Sequence, residues 1–410
     1  MQTHSQHHAQ RIGWEIRPNT AKQAVKPRIA LYSGQKASSE AGFRLARFVS
    51  AAWVLGRRPA LLRSVRIGLI IPQTGSAGLW APSAEACGRL AVDEINQVSG
   101  IRRSPVELCI INAGETGESA GRAARDALED QGVDGIVGML PSFARDFVAR
   151  ATQGRVPFVY TPQFEGLSST ARVMTTGETA DELLAPAIEW LSERKHARRY
   201  FLCGNDYIWP RLSFQVARTL IARLGGTVTG EHYLAVGLHD FDEILDRIKA
   251  THSDVVLPYF LGVDCIAFSR AFCAAGLSSR VLRFSSAIDE TIVYGLEESE
   301  TENLYAASSY FASIRSRNNG AFLERYHTAF GDNPPPANAY GESCYEGIYS
   351  LAALIEEAGS LDARELMRFY GRTIQQRTAR GDEARPVVGS RHPIYLAQLD
   401  GYDFSIVARR

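Results

Sequence analysis

Residues 156–166 read Val-Pro-Phe-Val-Tyr-Thr-Pro-Gln-Phe-Glu-Gly, and this stretch decides the fold class. Its first half, up to Tyr160, is a short apolar segment typical of a buried strand, and its second half turns polar. In open α/β sheets, ligands bind just beyond the carboxyl ends of such strands. The stretch therefore predicts a parallel sheet with a small polar pocket at its edge, formed by a phenol, an amide, a ring and a carboxylate.

Short apolar segments alternate with amphipathic helical segments on both sides of this stretch, from Val65 onwards. Strands separated by helices form parallel sheets. The same rhythm begins again after Gly177, so we predict an α/β protein with two doubly wound parallel-sheet lobes. The predicted strands are at residues 66–72, 106–112, 135–140, 156–160, 199–203, 232–236, 255–260 and 281–286.

Helices and a hairpin remain after the second run of strands, which indicates that the chain crosses between the lobes more than once. We expect lobe 1 to contain residues 65–178 and 311–365, and lobe 2 residues 179–310 and 366–410. Residues 1–64 differ in composition and are expected to be a poorly ordered N-terminal extension. Ligands of two-lobed proteins bind in the cleft, and the lobes close around them by a hinge motion.

Charge and composition exclude several classes of function. The 410 residues carry 45 basic and 45 acidic side chains, so no basic surface for direct nucleic-acid binding is expected. The six cysteines are scattered without metal-ligand spacing, and no cofactor or metal site is predicted. The sequence shows neither a membrane-spanning apolar run nor a clear secretion signal. We therefore expect a cytoplasmic protein without a membrane partner. If the N-terminus is misassigned, the alternative is a periplasmic protein or an extracellular protein with a lipid anchor.

Common catalytic motifs are missing from the sequence, which has no phosphate-binding loop, no dinucleotide fingerprint after a strand and no H-E-x-x-H. One G-x-S-x-G match occurs at residues 117–121, but polar residues separate it from the preceding strand. A nucleophile elbow needs its serine on a sharp turn directly after a strand. We therefore expect Ser119 to begin a helix and the protein to be a non-enzyme without catalytic residues.

Five motifs resemble a known family, and they are Arg66–Leu69 with Thr74-Gly75, Gly138–Ser142, Tyr160–Gly166, Asn205–Arg211 and Ala339–Glu342. With these motifs, the chain resembles the type I periplasmic-binding-protein family over roughly residues 65–400. It is most similar to the branch that binds urea and short aliphatic amides, with the aliphatic amidase expression-regulating and nitrile hydratase regulator proteins. The resemblance implies a two-lobed receptor with its ligand in the cleft.

The resemblance also suggests which residues bind the ligand. They are Ser142, Tyr160, Pro162, Gln163 and Glu165 in lobe 1, and Asp206, Tyr207, Gly262 and Asp264 in lobe 2. A neutral amide needs an acceptor for its N–H groups and donors for its carbonyl, without an ion pair. Hydroxyls would supply the donors, and Glu165 or Asp206 the acceptor. Helix caps at Ser142, Asp206 and Gly262–Asp264, and a core position for Tyr160, stay open as alternatives.

The function expected from these residues is a receptor for short amides or urea that regulates amidase or nitrile hydratase genes. Closure of the cleft would hold or release a partner regulator, which in the resembling system is an antitermination protein. The alternative is the solute-binding subunit of an ABC transporter for urea, amides or branched-chain amino acids. A hydrolase is the third hypothesis, and homo-oligomerisation is left open.

Overall fold

The computed structural model describes residues 63–166, 173–370, 378–380 and 392–410. The predicted N-terminal extension lies outside these residues except for its last two positions. Within them, two parallel-core sheets each carry helices on both faces, which confirms the predicted α/β fold with two lobes. We name the lobes by their sheets: lobe 1 is built on the first sheet along the chain and lobe 2 on the second.

The first sheet has the strand order β2-β1-β3-β4-β5, and all of its strands are parallel. The central strand β1 is almost wholly buried because it is apolar on both faces, as expected for a strand covered by helices on each side. In register, Ile67 lies between Leu108 and Gly135. The strands are β1 Val65–Ile71, β2 Val106–Asn112, β3 Gly135–Gly138, β4 Phe158–Tyr160 and β5 Val173–Thr175.

The second sheet has the order β12-β11-β10-β9-β8-β6-β7. Its strands β6 to β10 are parallel, and the hairpin β11-β12 adds two antiparallel strands at one edge. The strands are β6 Arg199–Asn205, β7 Thr227–Leu234, β8 Val255–Tyr259, β9 Leu282–Ser285, β10 Leu304–Ser308, β11 Tyr395–Asp400 and β12 Asp403–Arg409.

Helices connect most successive strands and bury their apolar faces against the sheets. In lobe 1, α1 packs against α10 and α2 against α3; in lobe 2, α4 packs against α5. The helices are α1 Ala81–Val98, α2 Gly117–Glu129, α3 Ser142–Thr152, α4 Ala180–Arg194, α5 Ile208–Arg223, α6 Asp242–Thr251, α7 Val263–Ala274, α8 Glu290–Tyr294, α9 Arg317–Phe330, α10 Ala339–Ala358 and α11 Ala363–Met367. Ser119 lies in the first turn of α2, as expected, where it shares a capping box with Thr116.

The chain passes between the lobes after β5, after β10 and after α11, so α9 and α10 return to lobe 1 and the terminal hairpin joins lobe 2. A buried arginine joins these three passages. Arg380 Nη1 donates to Glu178 Oε1 at 2.9 Å and to Ser309 Oγ at 3.2 Å. The predicted residue bounds of the lobes stay a prediction; the first sheet draws on residues 65–175 and the second on residues 199–409.

Three elements differ from those predicted. Strand β5 at Val173–Thr175 was not expected, because three residues are too short to show a pattern. Strand β7 begins at Thr227 rather than His232, since it is a half-buried edge strand without a continuous apolar run. The sequence pattern predicts a helix from Arg211 to Leu224, but α5 begins at Ile208, so Trp209 and Pro210 lie in its first turn, where proline is tolerated.

Candidate ligand-binding cleft

The cleft lies where the carboxyl ends of β3 and β4 in lobe 1 face those of β6, β8 and β9 in lobe 2. It encloses a small cavity with a free volume of about 30 Å³. Most of its wall is aromatic or aliphatic, as in many small-molecule sites. The lining residues are Ala77, Trp80, Met139, Leu140, Pro141, Ser142, Tyr160, Pro162, Gln163, Tyr207, Trp209, Leu261, Ala287 and Tyr340.

Aromatic pairs give the cavity a rigid wall. The rings of Trp80 and Tyr340 lie with their centroids 4.3 Å apart on the lobe 1 side. On the lobe 2 side, Trp209 stacks on the ring of Tyr259 at 4.6 Å. The ring of Tyr207 meets the ring of Phe143 edge-on at 5.5 Å, across the cleft. Such contacts fix ring orientation and exclude water from the space between the lobes.

Five of the predicted site residues meet at this cavity: Ser142, Tyr160, Pro162, Gln163 and Tyr207. Their positions follow from the sheet, because each belongs to a strand end or to the loop or helix that comes directly after a strand. Ser142 begins α3, and Tyr160 is the last residue of β4. Tyr207 stands between β6 and α5 in lobe 2. The cavity therefore combines residues of both lobes.

The hydroxyl of Tyr160 is occupied within lobe 1. Its Oη donates to the main-chain oxygen of Leu140 at 2.8 Å and lies 3.5 Å from Ser142 Oγ. Burial raises the pKa of Tyr160 above its ordinary value, and burial likewise raises the pKa of Tyr207 and of Tyr340. These three phenols therefore stay protonated at neutral pH and act as donors or neutral acceptors.

The side chain of Gln163 lines the cavity and contains one acceptor atom that is not used. Its Nε2 donates to the main-chain oxygen of Ser286 at 2.7 Å and to Tyr340 Oη at 3.1 Å. Its Oε1 is buried and has no hydrogen-bond partner in the part of the chain that the structure describes. An unpaired buried acceptor costs free energy, so this oxygen is suited to receive a donor from a ligand.

Two carboxylates that were predicted to accept from a ligand are used elsewhere. The side chain of Glu165 is fully buried and forms an ion pair with Arg145. The guanidinium group of Arg145 also lies over the ring of Tyr160, 5.3 Å from its centroid. Asp206 is half exposed and pairs with Arg211 Nε at 2.6 Å, on the outside of the cleft. Neither residue lines the cavity, because each has a basic partner in its own lobe.

Gly262 and Asp264 do not line the cavity either; they form a contact between the lobes beside it. The main-chain nitrogen of Val263 donates to the main-chain oxygen of Ser76 at 3.0 Å. The hydroxyl of Ser76 donates to Asp264 Oδ1 at 2.7 Å. Gly262 is the N-cap residue of α7, as the helix-cap alternative expects, and ligand contact at Gly262 and Asp264 stays a prediction.

Several cavity residues were not predicted from the sequence. Trp80 lies in a short 3-10 turn after β1, and Tyr340 is the second residue of α10. Tyr340 lies in the motif Ala339–Glu342, one of those on which the family resemblance rests. This motif could have pointed to Tyr340 as a site residue. Trp209 lies two residues after Tyr207, in the motif Asn205–Arg211, so its place near the site could be seen in the sequence. Trp80 had no comparable signal.

In the described parts of the chain, no group of three or more His, Cys, Asp or Glu side chains is placed to hold a metal ion. None of the helices described is long and apolar enough to cross a membrane. The wall of the cavity itself carries no charged side chain among the described residues. Its chemistry is therefore that of hydroxyls, one amide, main-chain groups and rings.

Two relatives share most of the chain's length. Leu/Ile/Val-binding protein homolog 3 of Brucella melitensis is 23% identical over 335 residues, which cover 78% of this chain and 86% of the relative. Leu/Ile/Val-binding protein BraC3 of Rhizobium johnstonii is 24% identical over 317 residues, covering 75% of this chain and 83% of the relative.

Solved structures of transporter proteins have the same fold. The branched-chain amino acid transporter substrate binding protein LivJ of Streptococcus pneumoniae, in complex with isoleucine, has a TM-score of 0.74 and 15% identity. The match covers 85% of this chain and 99% of LivJ. A solute binding protein of an ABC transporter from R. palustris, in complex with 4-hydroxybenzoate, also has a TM-score of 0.74, with 18% identity and 85% and 97% coverage.

A family model described as periplasmic binding protein matches residues 64–401. The expected non-enzyme is confirmed, because proteins of this family bind ligands without transforming them. The expected cytoplasmic location is wrong, because the family and its transporter relatives are periplasmic. The expected gene-regulating role and its antitermination partner gain no support from these relatives. From residue 64 to residue 401, this chain belongs to the periplasmic binding protein family.

Proposed function

We propose that the protein is the solute-binding receptor of an ABC transporter and that its ligand is a small uncharged amide or urea. Family membership and the transporter relatives support the receptor role. The two-lobed cleft supports it as well, because a ligand held by both lobes stabilises the closed form that a transporter can distinguish from the open one. In this role a membrane permease is the partner of the protein, which replaces the expectation of no membrane partner.

The free acceptor of Gln163 in an uncharged cavity is the observation that carries the ligand class. A primary amide or urea has N–H groups that can donate to Gln163 Oε1, which lacks a partner among the residues described. Its carbonyl oxygen can accept from Ser142 Oγ or Tyr207 Oη, and the rings of Trp80 and Tyr340 cover its apolar part. Each polar atom of such a ligand thus finds a neutral partner, as burial requires.

The residues that line the cavity are less suited to bind a zwitterionic amino acid. Its ammonium group needs a carboxylate and its carboxylate needs a cation or several donors, since burying an unpaired charge is very costly. Two of the predicted carboxylates already have partners: Glu165 pairs with Arg145, and Asp264 bonds with Ser76, Asn205 and His239. Branched-chain amino acids remain the second candidate, because the names of two relatives point to them.

The size of the ligand limits its affinity. A ligand of about four heavy atoms gains at most about 6 kcal/mol, which corresponds to a dissociation constant on the order of tens of micromolar. Such a small free energy can shift the open and closed states only if they lie within a few kcal/mol of each other. The receptor is therefore expected to respond to abundant rather than trace ligand.

A thermal-shift and calorimetric screen tests the ligand class. Urea, formamide, acetamide, propionamide, butyramide, leucine and isoleucine are added to the purified protein, because a ligand that binds the native state raises its apparent stability. We expect one or more of the amides or urea to raise the melting temperature and to bind in calorimetry. Stabilisation by leucine or isoleucine alone would overturn the ligand class.

An uptake assay tests the transporter role separately. Cells that lack the gene should take up the radiolabelled ligand found by the screen more slowly than wild-type cells. Supplying the chain again should restore uptake, and the protein should be recovered from the periplasmic fraction. Unchanged uptake together with a confirmed ligand would reject the transport role while leaving the ligand assignment standing.

A further inference from the structure

The start of α7 is the place where lobe 2 touches lobe 1 beside the cavity. The first main-chain N–H groups of any helix have no partner within the helix, and the residue before the helix usually supplies one from its side chain. Here that residue is Gly262, which has no side chain to offer. The N–H of Val263, the first residue of α7, is instead satisfied by the main-chain oxygen of Ser76 in lobe 1, at 3.0 Å.

Ser76 makes a second hydrogen bond at the same place. Its hydroxyl donates to Oδ1 of Asp264, the second residue of α7, at 2.7 Å. Asp264 is held ready by groups of its own lobe: Oδ2 accepts from Asn205 Nδ2 at 2.8 Å and from the Gly237 main-chain nitrogen at 2.8 Å. The ring nitrogen His239 Nε2 lies 3.1 Å from Oδ1. The carboxylate is therefore oriented before Ser76 arrives.

The absence of a side chain at Gly262 allows this contact. A Cβ atom at Gly262 would lie 1.7 Å from the main-chain oxygen of Ser76, far closer than two atoms can approach. Gly262 also has a positive φ of 50°, which other residues adopt only under strain. Its neighbour Leu261 and Ser76's neighbour Ala77 both line the cavity. The contact therefore closes one wall of the ligand site.

We infer that Ser76 acts as the N-terminal cap of α7 across the cleft, and that this interlobe cap, formed by Ser76, Gly262, Val263 and Asp264, sets how tightly the receptor closes. These residues would control ligand affinity without touching the ligand. When the lobes separate, the Val263 N–H and one acceptor site of Asp264 lose Ser76 as their partner and form hydrogen bonds with water instead. The inference rests on the proposed receptor function only in requiring that a ligand binds between the lobes.

Two glycine substitutions at opposite ends of α7 test the interlobe cap. Gly262→Ala places a methyl group against Ser76, whereas Gly276→Ala also places an alanine at a positive φ, +69°, but its Cβ meets nothing within 4 Å. We expect Gly262→Ala to bind ligand at least about tenfold more weakly than Gly276→Ala and to keep a larger radius of gyration in X-ray scattering. Ser76→Ala should weaken binding about fivefold through one lost hydrogen bond, and Ser76→Thr should restore most of it.

Scattering is measured without ligand and with acetamide, urea, leucine and 4-hydroxybenzoate in turn, so that the result does not depend on the proposed ligand class. If leucine closes the wild-type protein and acetamide does not, the ligand class fails, yet a selective defect in Gly262→Ala still supports the interlobe cap. The inference is overturned if Gly262→Ala and Gly276→Ala scatter alike under every condition and bind with equal affinity.

Discussion

Gln163 Nε2 donates across the cleft to the main-chain oxygen of Ser286 at 2.7 Å, while Gln163 Oε1 is left without a partner among the described residues. Gln163 follows β4 in lobe 1, and Ser286 follows β9 in lobe 2. One amide group therefore ties the lobes together with its nitrogen and offers its oxygen to the cavity. The oxygen and the nitrogen belong to the same planar amide group. A ligand that bonds to the oxygen therefore also fixes the orientation of the nitrogen toward lobe 2.

The first prediction concerns Gln163→Met, which keeps the length of the side chain and removes both polar atoms. The variant loses the bond to Ser286 and the acceptor for the ligand, each worth about 1 kcal/mol. We expect the affinity for acetamide in calorimetry to fall about 10- to 30-fold. Gln215→Met, on the exposed face of α5, is the matched control and should bind normally. Equal affinity of both variants would remove Gln163 from the site.

The second prediction separates two phenols of the cavity. Tyr160 Oη is bonded to the main-chain oxygen of Leu140, so Tyr160→Phe should lower the free energy of unfolding by about 1 kcal/mol. Tyr207 lines the cavity and has no such bond to another described residue, so its hydroxyl can donate to a ligand carbonyl. Tyr207→Phe should therefore weaken acetamide binding about fivefold and leave unfolding by guanidinium chloride nearly unchanged. The opposite pattern would exchange the roles of the two residues.

The fold could be predicted because its strands are encoded locally. Buried parallel strands such as β1 are nearly continuous apolar runs in the sequence. The end of α5 is also visible in the sequence, because Gly225 follows the helix at a position whose positive φ favours glycine. The strand ends place Ser142 and Tyr160 at the edge of the first sheet and Tyr207 at the facing edge of the second. Short or half-exposed strands, such as β5 and β7, lack this signal because few of their side chains need to be apolar.

The partners of the polar residues could not be predicted. A glutamate such as Glu165 reads the same in sequence whether it faces a ligand or a buried arginine, and Arg145 lies on a different element. Asp264 likewise gives no sign that Ser76 reaches it from the other lobe. Trp80 joins the site because α1 packs against α10 and thereby sets its ring against Tyr340, which is a tertiary fact.

The third prediction uses the two carboxylates that do not line the cavity. Glu165→Ala removes the buried carboxylate that pairs with Arg145, while Asp146 stays 3.9 Å from Arg145 Nε, so the free energy of unfolding should fall by about 3 kcal/mol. Asp206→Ala breaks an exposed pair with Arg211 and should change it by less than about 1 kcal/mol. Denaturant titration measures both. Acetamide affinity should stay near wild type for each folded variant, and a large loss in either would return that carboxylate to the ligand site.

Two neighbouring acids in lobe 2 give stability a pH dependence. Burial raises the pKa of Glu290 from its ordinary 4.5 to about 8, and burial raises the pKa of Asp289 from 3.8 to about 7. At pH values between the ordinary and the raised pKa of each group, the folded protein binds more protons than the unfolded chain. The contribution of both groups to stability is therefore complete below about pH 4 and is lost as the pH rises through about 7 to 8.

The fourth prediction is that Glu290→Gln removes much of this dependence. The amide mimics the protonated acid, and its oxygen can still accept from the Ala312 main-chain nitrogen, as Glu290 Oε1 does at 2.6 Å. We expect the free energy of unfolding of the wild-type protein to drop by about 4 to 7 kcal/mol between pH 5 and pH 9, and that of the variant, which keeps Asp289, to drop by roughly half as much. Glu243→Gln, on the exposed surface of α6, should follow the wild-type curve. Parallel curves for wild type and Glu290→Gln would show that Glu290 is ionised in the folded protein throughout this range.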